Sequence, residues 1–204
     1  VDRLVAARIP VVTLVSDLTG STRHHYAGVD NIAAGRTAGR LLGRFLGGRS
    51  GDITILAGSM VVRDHRERLE GFTSVMSAEF PQLRLLPVLE GRDDPDIANE
   101  LISKALSEKS DIIGIYSLGA GNRGLIRALK AAGQGRGLTV VVHELTEHTR
   151  AALLDGTIDA VLNQDAGHEV RSAMRIMRAT ADGQGFIAAQ ERIRLEIFLK
   201  DNLP

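Results

Sequence analysis

The stretch Tyr26-Ala27-Gly28-Val29-Asp30-Asn31-Ile32-Ala33-Ala34-Gly35-Arg36-Thr37-Ala38-Gly39-Arg40-Leu41-Leu42 decides the fold. It reads as a short strand that closes on an acid and an amide, then a helix in which Gly35 and Gly39 fall one turn apart. Small residues on one helix face let the backbone lie close against a neighbour, here expected to be a sheet. Asp30 then stands where strand gives way to helix. In open parallel α/β sheets, ligands are bound at such carboxyl ends of strands.

Working outward, residues 1–8 read as the end of a helix, and Ile9-Pro10-Val11-Val12-Thr13-Leu14-Val15 reads as a buried strand of β-branched type. Ser16 to Ser21 form a turn. His24 and His25 follow as neighbours; on an extended segment they point to opposite faces and cannot readily share a metal, so we expect a surface loop. On the other side, Gly47-Gly48-Arg49-Ser50-Gly51 is a breaker before a strand over 53–58. The next helix, from about Asp64, carries Leu69, Phe72, Met76 and Phe80 at helical spacing, its expected buried face. Arg63, Arg66 and Arg68 crowd its start, where cations oppose the helix dipole and call for an acidic partner or a ligand. Asp64, Glu67 and Glu70 are the local acids that could serve.

The same unit then repeats. A strand over 85–89 contains Pro87, which argues for a sheet edge. Asp93-Asp94-Pro95-Asp96 starts a helix with a capping acid and an early proline, and Ile97, Leu101 and Ala105 supply its apolar stripe. Strands over 111–117, 139–144, 158–164 and 193–199 are separated by helices over 122–132, 146–154 and 167–180. This alternation predicts an α/β protein with parallel sheets covered by helices on both faces.

Composition narrows the function. With 204 residues and 44% hydrophobic content the chain can bury a real core, in one large or two small domains. Lysine plus arginine and aspartate plus glutamate both number 25, which removes the broad positive footprint of a nucleic-acid or anionic-membrane binder. The absence of cysteine excludes disulfides, zinc-thiolate sites and thiol catalysis. No stretch approaches the roughly 20 apolar residues that span a bilayer. The opening Val1-Asp2-Arg3-Leu4-Val5-Ala6-Ala7 has neither an initiating methionine nor the regions of a signal peptide, so a fragment lacking its natural beginning is expected.

One motif points to an enzyme. Gly119-Ala120-Gly121-Asn122-Arg123-Gly124 matches G-x-G-x-x-G between a strand and a helix, and Glu144 follows about 20 residues on, where a dinucleotide-binding protein holds the ribose. Against it, the motif is a late unit of the sheet and no residues downstream are arranged for hydride transfer. A glycine-rich turn of this kind suits any small polar ligand approaching backbone N–H groups. There is no G-x-x-x-x-G-K-[ST], no G-x-S-x-G and no H-E-x-x-H. What remains is a set of polar residues at strand ends and helix starts: Asp30, Arg66, Asn122, Glu144 and Gln164. Two acids, a guanidinium and two carboxamides offer donors and acceptors suited to the vicinal hydroxyls of a sugar-like ligand. Helix capping is the competing role for Asp30 and Asn122.

Four motifs in order, Ile9-Pro10-Val11-Val12, Gly28-Val29-Asp30-Asn31 with Ala34-Gly35-Arg36-Thr37-Ala38, Arg66-Glu67-Arg68-Leu69-Glu70-Gly71-Phe72, and the closing Asp201-Asn202-Leu203-Pro204, resemble the effector-binding domain of LacI-family transcription regulators. That domain has the type I periplasmic-binding-protein-like fold. The resemblance implies two Rossmann-like lobes of parallel sheet flanked by helices, with the ligand in the cleft between them. It implies residues 1–28 and 166–191 as the remainder of an incomplete first lobe, and 29–165 and 192–204 as the second. It also implies a helix-turn-helix DNA-binding head upstream of Val1, a homodimer, and a cytoplasmic location.

Carried over by resemblance, Asp30 matches an acid that binds sugar hydroxyls, and Arg66 matches a ligand-contacting arginine, with Arg68 as its possible substitute. Glu144 falls where the family commonly has aspartate, and Gln164 matches a polar residue at the second crossing. Val15 stands where many sugar binders have an acid, leaving Ser16 or Asp17 as replacements, and Gly119-Ala120-Gly121-Asn122 replaces the usual Asn-Asp turn. The function expected is binding of a sugar or related small polar effector, without chemistry and without a cofactor, so as to modulate DNA binding by the head. The alternatives are a periplasmic sugar-binding protein of a transporter, which shares fold and site, and an NAD(P)-dependent enzyme built on Gly119 to Gly124.

Overall fold

The structure is a computed structural model that describes residues 1–133 and 137–204. In chain order the elements are α1 (Asp2–Ala6), β1 (Val12–Leu14), β2 (His25–Ala27), α2 (Asn31–Phe45), β3 (Gly51–Ala57) and α3 (Arg63–Glu79). There follow β4 (Leu83–Leu85), β5 (Leu89–Glu90), α4 (Pro95–Glu108), β6 (Ile112–Ser117), α5 (Asn122–Ala132) and β7 (Thr139–His143). The chain closes with α6 (Glu147–Leu154), β8 (Ala160–Gln164), α7 (Ala166–Ala181), β9 (Leu195–Phe198) and a 3-10 turn, Lys200–Asn202. It divides into two compact units, Val1–Asp30 with Gln164–Glu196, and Asn31–Asn163 with Ile197–Pro204.

In the smaller unit β1 and β2 pair in parallel, Thr13 opposite Tyr26, and α7 packs on both. Asp165 caps α7 by accepting from the His168 N–H at 2.9 Å. Of the two histidines expected in a surface loop, His25 lies in a strand instead, while His24 sits half-buried in the bend ahead of it. His24 Nδ1 accepts from the Val11 N–H at 3.1 Å, and His25 lies in β2 with its ring edge-on to Phe186, centroids 5.7 Å apart. Pairing with β1 draws the segment inward.

The larger sheet has strand order β4-β3-β6-β7-β8-β9, with β5 also on β3. The registers from β4 and β5 through β8 are parallel. The strand expected over 85–89 is two pieces on one edge, because Pro87 between them has no N–H to give the ladder. Side chains alternate across the sheet. Tyr116 stacks on Phe72 of α3, centroids 4.4 Å apart, while its neighbour Ile115 joins Leu56, Ile102, Leu125 and Val142 in the core under α4, α5 and α6.

Two local corrections matter for the site. The buried face of α3 is Asp64, His65, Arg68, Gly71, Phe72, Val75 and Met76, so Leu69 and Phe80 stand only at its margin. A phase error of one residue turns a helix face by about 100°. Second, the small-residue face of α2 serves α3. A side chain on Gly35 would collide with the Arg68 carbonyl, one on Gly71 would collide with the Ile32 carbonyl, and a Cβ on Gly39 would lie 3.2 Å from Val75. Reciprocal glycines let the two helix axes approach more closely than ordinary side chains permit.

Candidate ligand-binding site

The parallel strands β3, β6 and β7 all run toward one edge of the larger unit, and the chain leaves each in a loop that begins a helix. The phase of α3 sends Arg68 to that edge. The residue is only 4% exposed, and each of its three guanidinium nitrogens stands beside an acceptor, while Nη1 and Nη2 each carry a second N–H. Nε donates to Asn31 Oδ1 at 2.8 Å, Nη1 donates to the Leu118 carbonyl at 2.7 Å, and Nη2 stands 3.6 Å from Glu144 Oε1. Gly119, at φ +132°, makes room for it: a Cβ there would lie 2.7 Å from Nη1. A buried cation is stable only when it is paired and hydrogen-bonded in this way. The gap to Glu144 exceeds a direct hydrogen bond, so the carboxylate is positioned beside the guanidinium as an ion-pair partner.

Glu144 itself is held under backbone strain. Its φ is +71°, the left-handed region that a residue with a side chain enters at a cost of about 1–2 kcal/mol. Three successive residues are clamped to enforce it. Asn122 Nδ2 donates to the His143 carbonyl at 2.8 Å, Thr149 Oγ1 donates to the Glu144 carbonyl at 2.8 Å, and the Leu145 N–H donates to Asn163 Oδ1 at 3.0 Å. The Glu144 N–H donates to the Leu162 carbonyl at 2.8 Å. The Glu144 side chain is 30% exposed.

Behind the pair lies a buried aromatic and imidazole layer. Tyr116 Oη and His143 Nε2 are 2.9 Å apart, both side chains being almost wholly enclosed. Burial, reinforced by Arg68 and His65, holds the His143 imidazole well below its ordinary pKa, and burial pushes the Tyr116 phenol up. Both are therefore neutral at neutral pH. His65 Nδ1 lies 3.0 Å from the Ser59 carbonyl. On the β3 side, Glu90 Oε2 accepts from the Met60 N–H at 2.8 Å, and a side chain on Gly58 would collide with Asp93, which with Arg92 also has positive φ.

The residues singled out from sequence fall into different places. Glu144 is at the strand-end cluster, and the guanidinium beside it belongs to Arg68. Arg66 is exposed and donates to the Met60 and Val61 carbonyls at 3.0 and 2.5 Å, bracing the loop ahead of α3. Arg63 pairs with Glu67 at 2.5 Å. Asn122 is buried and committed at both ends, its Oδ1 accepting from Ser117 Oγ at 2.7 Å while Nδ2 holds His143. Asp30 is exposed, the last residue before α2, and Gln164 ends β8. In the smaller unit Val15 has φ +62°, Tyr26 Oη donates to its carbonyl at 2.7 Å, and Asp17 pairs with Arg23 at 2.5 Å and accepts from Thr13 Oγ1 at 2.9 Å. In the glycine-rich turn, Gly121 at φ +79° caps α5, and a side chain on Gly124 would collide with the Pro95 carbonyl on α4. Asn31, His65, Tyr116 and His143 entered no sequence-level candidate set; the phase of α3 was the available signal for His65 and Arg68.

A fixed cation and a strained, half-exposed carboxylate thus stand side by side at the ends of parallel strands, the end of such a sheet where ligands are commonly bound. Among the described residues no group of three or more His, Cys, Asp or Glu could hold a metal ion, and no helix is long and apolar enough to cross a membrane.

The family described as the periplasmic binding protein domain matches residues 1–185. The chain belongs to that family. Its fold is α/β and type I periplasmic-binding-protein-like, with parallel sheets flanked by helices, as the alternation of elements implied. Solved structures agree across the whole chain. The glucose-galactose binding protein GanP from Geobacillus stearothermophilus superimposes with TM-score 0.88 at 23% identity, over 100% of this chain and 72% of its own. A sugar-binding protein of a sugar ABC transporter from Bacillus halodurans gives 0.87 at 21%, over 98% and 72%. An ABC transporter solute-binding protein from Burkholderia graminis, in complex with D-arabinose, gives 0.90 at 23%, over 98% and 70%. No curated protein matches this chain.

Proposed function

We propose that this member of the periplasmic binding protein family binds a sugar or closely related polyol and releases it unchanged, as the solute-capturing component of an ABC transporter. The observation that carries the binding is the Arg68 and Glu144 pair, a buried guanidinium 3.6 Å from a carboxylate that the backbone is strained to present. Such a pair offers donors and acceptors together, which vicinal hydroxyls need. The transport context is supported by the similar structures, several of which are sugar-binding proteins of transporters, one in complex with D-arabinose and another bound with alpha-D-tagatopyranose. They favour transport over the regulator reading.

Calorimetric titration with D-arabinose, D-glucose, D-galactose and D-tagatose tests the proposal, with Arg68→Ala and Glu144→Ala titrated alongside. Saturable binding that both substitutions weaken by at least tenfold supports the site. Affinity unchanged in both overturns it.

The regulator reading keeps one observation in its favour, the closing Asp201-Asn202-Leu203-Pro204. That segment is folded into the larger unit: Asn202 Oδ1 accepts from the Leu199 N–H at 2.6 Å, its Nδ2 donates to the Ile197 carbonyl at 2.9 Å, and Arg150 Nη1 donates to the Pro204 carbonyl at 2.8 Å. In that reading the same ligand shifts the geometry of an attached DNA-binding head through differential affinity for two states. Sequencing of the encoding gene discriminates the two, a secretory signal deciding for transport and a helix-turn-helix for regulation.

A further inference from the structure

Gly119 leaves a space at the strand-end edge of the larger unit. A Cβ on it would lie 2.7 Å from Arg68 Nη1, 3.6 Å from His143 Cβ and 3.9 Å from His65 Nε2, so these three side chains border one small region over the turn that follows β6. His65 and Arg68 stand three residues apart on α3, neighbours on one helix face. His65 is 8% exposed. Its Nδ1 lies 3.0 Å from the Ser59 carbonyl oxygen, which can only accept, so Nδ1 carries the proton. In the neutral ring Nε2 is then the acceptor. Among the described residues Nε2 has no hydrogen-bond partner, and it is not sealed from water as His25 Nε2 and Thr54 Oγ1 are. Arg68 Nη1 spends one N–H on the Leu118 carbonyl and carries a second. A donor and an acceptor thus border the same region.

We infer that His65 is a specificity-determining residue of the sugar site, its Nε2 accepting a hydrogen bond from a ligand hydroxyl beside Arg68. That role rests on the sugar reading above. A hydroxyl gives one proton and takes another, and vicinal hydroxyls stand side by side, so a sugar can accept from the guanidinium and donate to the imidazole at once. The Ser59 bond fixes the ring and its tautomer before a ligand arrives, which lowers the ordering cost of binding. The contact also selects. A deoxy or O-methyl sugar without that hydroxyl proton leaves Nε2 unpaired in a largely enclosed position, a cost that the complete sugar avoids.

The test is calorimetry and thermal melting of the full chain as wild type, His65→Asn and His65→Gln, titrated with D-arabinose, D-glucose, D-galactose and D-tagatose. The asparagine amide nitrogen takes the place of Nδ1 and keeps the bond to Ser59, but brings no acceptor to the position of Nε2. Glutamine reaches that position and gives up Ser59. Loss of a single hydrogen bond corresponds to a weakening of about fivefold in His65→Asn, with melting close to that of the wild type. His65→Gln is expected to bind more tightly than His65→Asn while melting lower. A residue that only braces the loop gives the reverse order of affinities, and that order overturns the inference, as does a His65→Asn variant that binds as tightly as the wild type. In either case saturable binding by the wild type leaves the sugar reading standing. No saturable binding of any of these sugars to the wild type overturns that reading, and the His65 contact with it.

Discussion

Asn122 Nδ2 donates to the carbonyl of His143 at 2.8 Å, so the side chain that opens α5 holds the peptide just ahead of Glu144. Its Oδ1 is meanwhile occupied by Ser117 Oγ. The carboxamide is therefore spent on the backbone that carries Glu144.

Asn122→Ala removes both bonds and leaves two buried groups unpaired, which costs about 1–3 kcal/mol each at most. Sugar affinity should fall by roughly tenfold as Glu144 loses its fixed placement, while Asn122→Asp, which keeps the acceptor but not the donor to His143, recovers stability only in part. Urea unfolding and calorimetry on the three proteins check this. An affinity unaffected by alanine would show that the brace does not reach the site.

Glu144→Gly and Glu144→Ala both delete the carboxylate and should both abolish sugar binding. Only glycine relieves the positive φ. The glycine variant is thus expected to be more stable than the alanine variant by about 1 kcal/mol, read as the difference in unfolding free energy. Equal stability would mean that Glu144 is not strained in solution.

Arg68→Lys keeps the charge but cannot serve Asn31, Leu118 and Glu144 together, since one ammonium replaces a planar fork. We expect it to lower sugar affinity by about tenfold or more and stability by about 2 kcal/mol. Arg66→Lys, on the exposed side of α3, should change affinity less than about threefold. Calorimetry on the pair reads out which arginine faces the ligand.

His143 is neutral in the fold because burial depresses its pKa. Unfolded, it takes up a proton near its ordinary value of about 6.5, whereas the folded chain does not until the pH is far lower. Stability is therefore fully present above that value and is lost as pH falls through it toward the folded pKa, by up to about 1.4 kcal/mol per pH unit. His25, also lowered by burial, contributes in the same sense. His143→Gln, which can still bond Tyr116, should flatten the fall in melting temperature between pH 7 and pH 5.5 relative to the wild type.

Gly35→Ala and Gly71→Ala should each destabilise the larger unit by about 1–3 kcal/mol or more, because the added methyl meets backbone that cannot step aside. Gly47→Ala, in open space at positive φ, loses only the cost of its conformation, about 1 kcal/mol. Thermal denaturation orders the three, and a Gly35→Ala variant as stable as the wild type would contradict the α2 and α3 contact.

The order and type of elements were legible in the chain because they rest on local chemistry. Asp94 and Pro95 start α4 as read, with Asp94 Oδ1 accepting from the Asp96 and Ile97 N–H groups, and α5 spans Asn122–Ala132 where the alternation of strand and helix placed it. Glu144 was legible as a strand-end acid. The phase of α3 was not, because Leu69 and Phe80 look more apolar than Arg68 and His65. Burial of a guanidinium is favoured only by partners from α2, from the turn after β6 and from the turn after β7, which lie 37 to 76 residues away or are reached across the sheet.

The amino-acid sequence by itself determined the alternation of strand and helix, and hence a parallel α/β sheet, since apolar periodicity, caps and breakers act over a few residues. Only the tertiary structure decided that the glycines of α2 meet α3, that Asn122 spends its amide on a backbone carbonyl, and that Arg68 stands beside Glu144. Those relationships depend on which distant groups satisfy a buried charge or a buried polar atom, and that requirement is met in three dimensions.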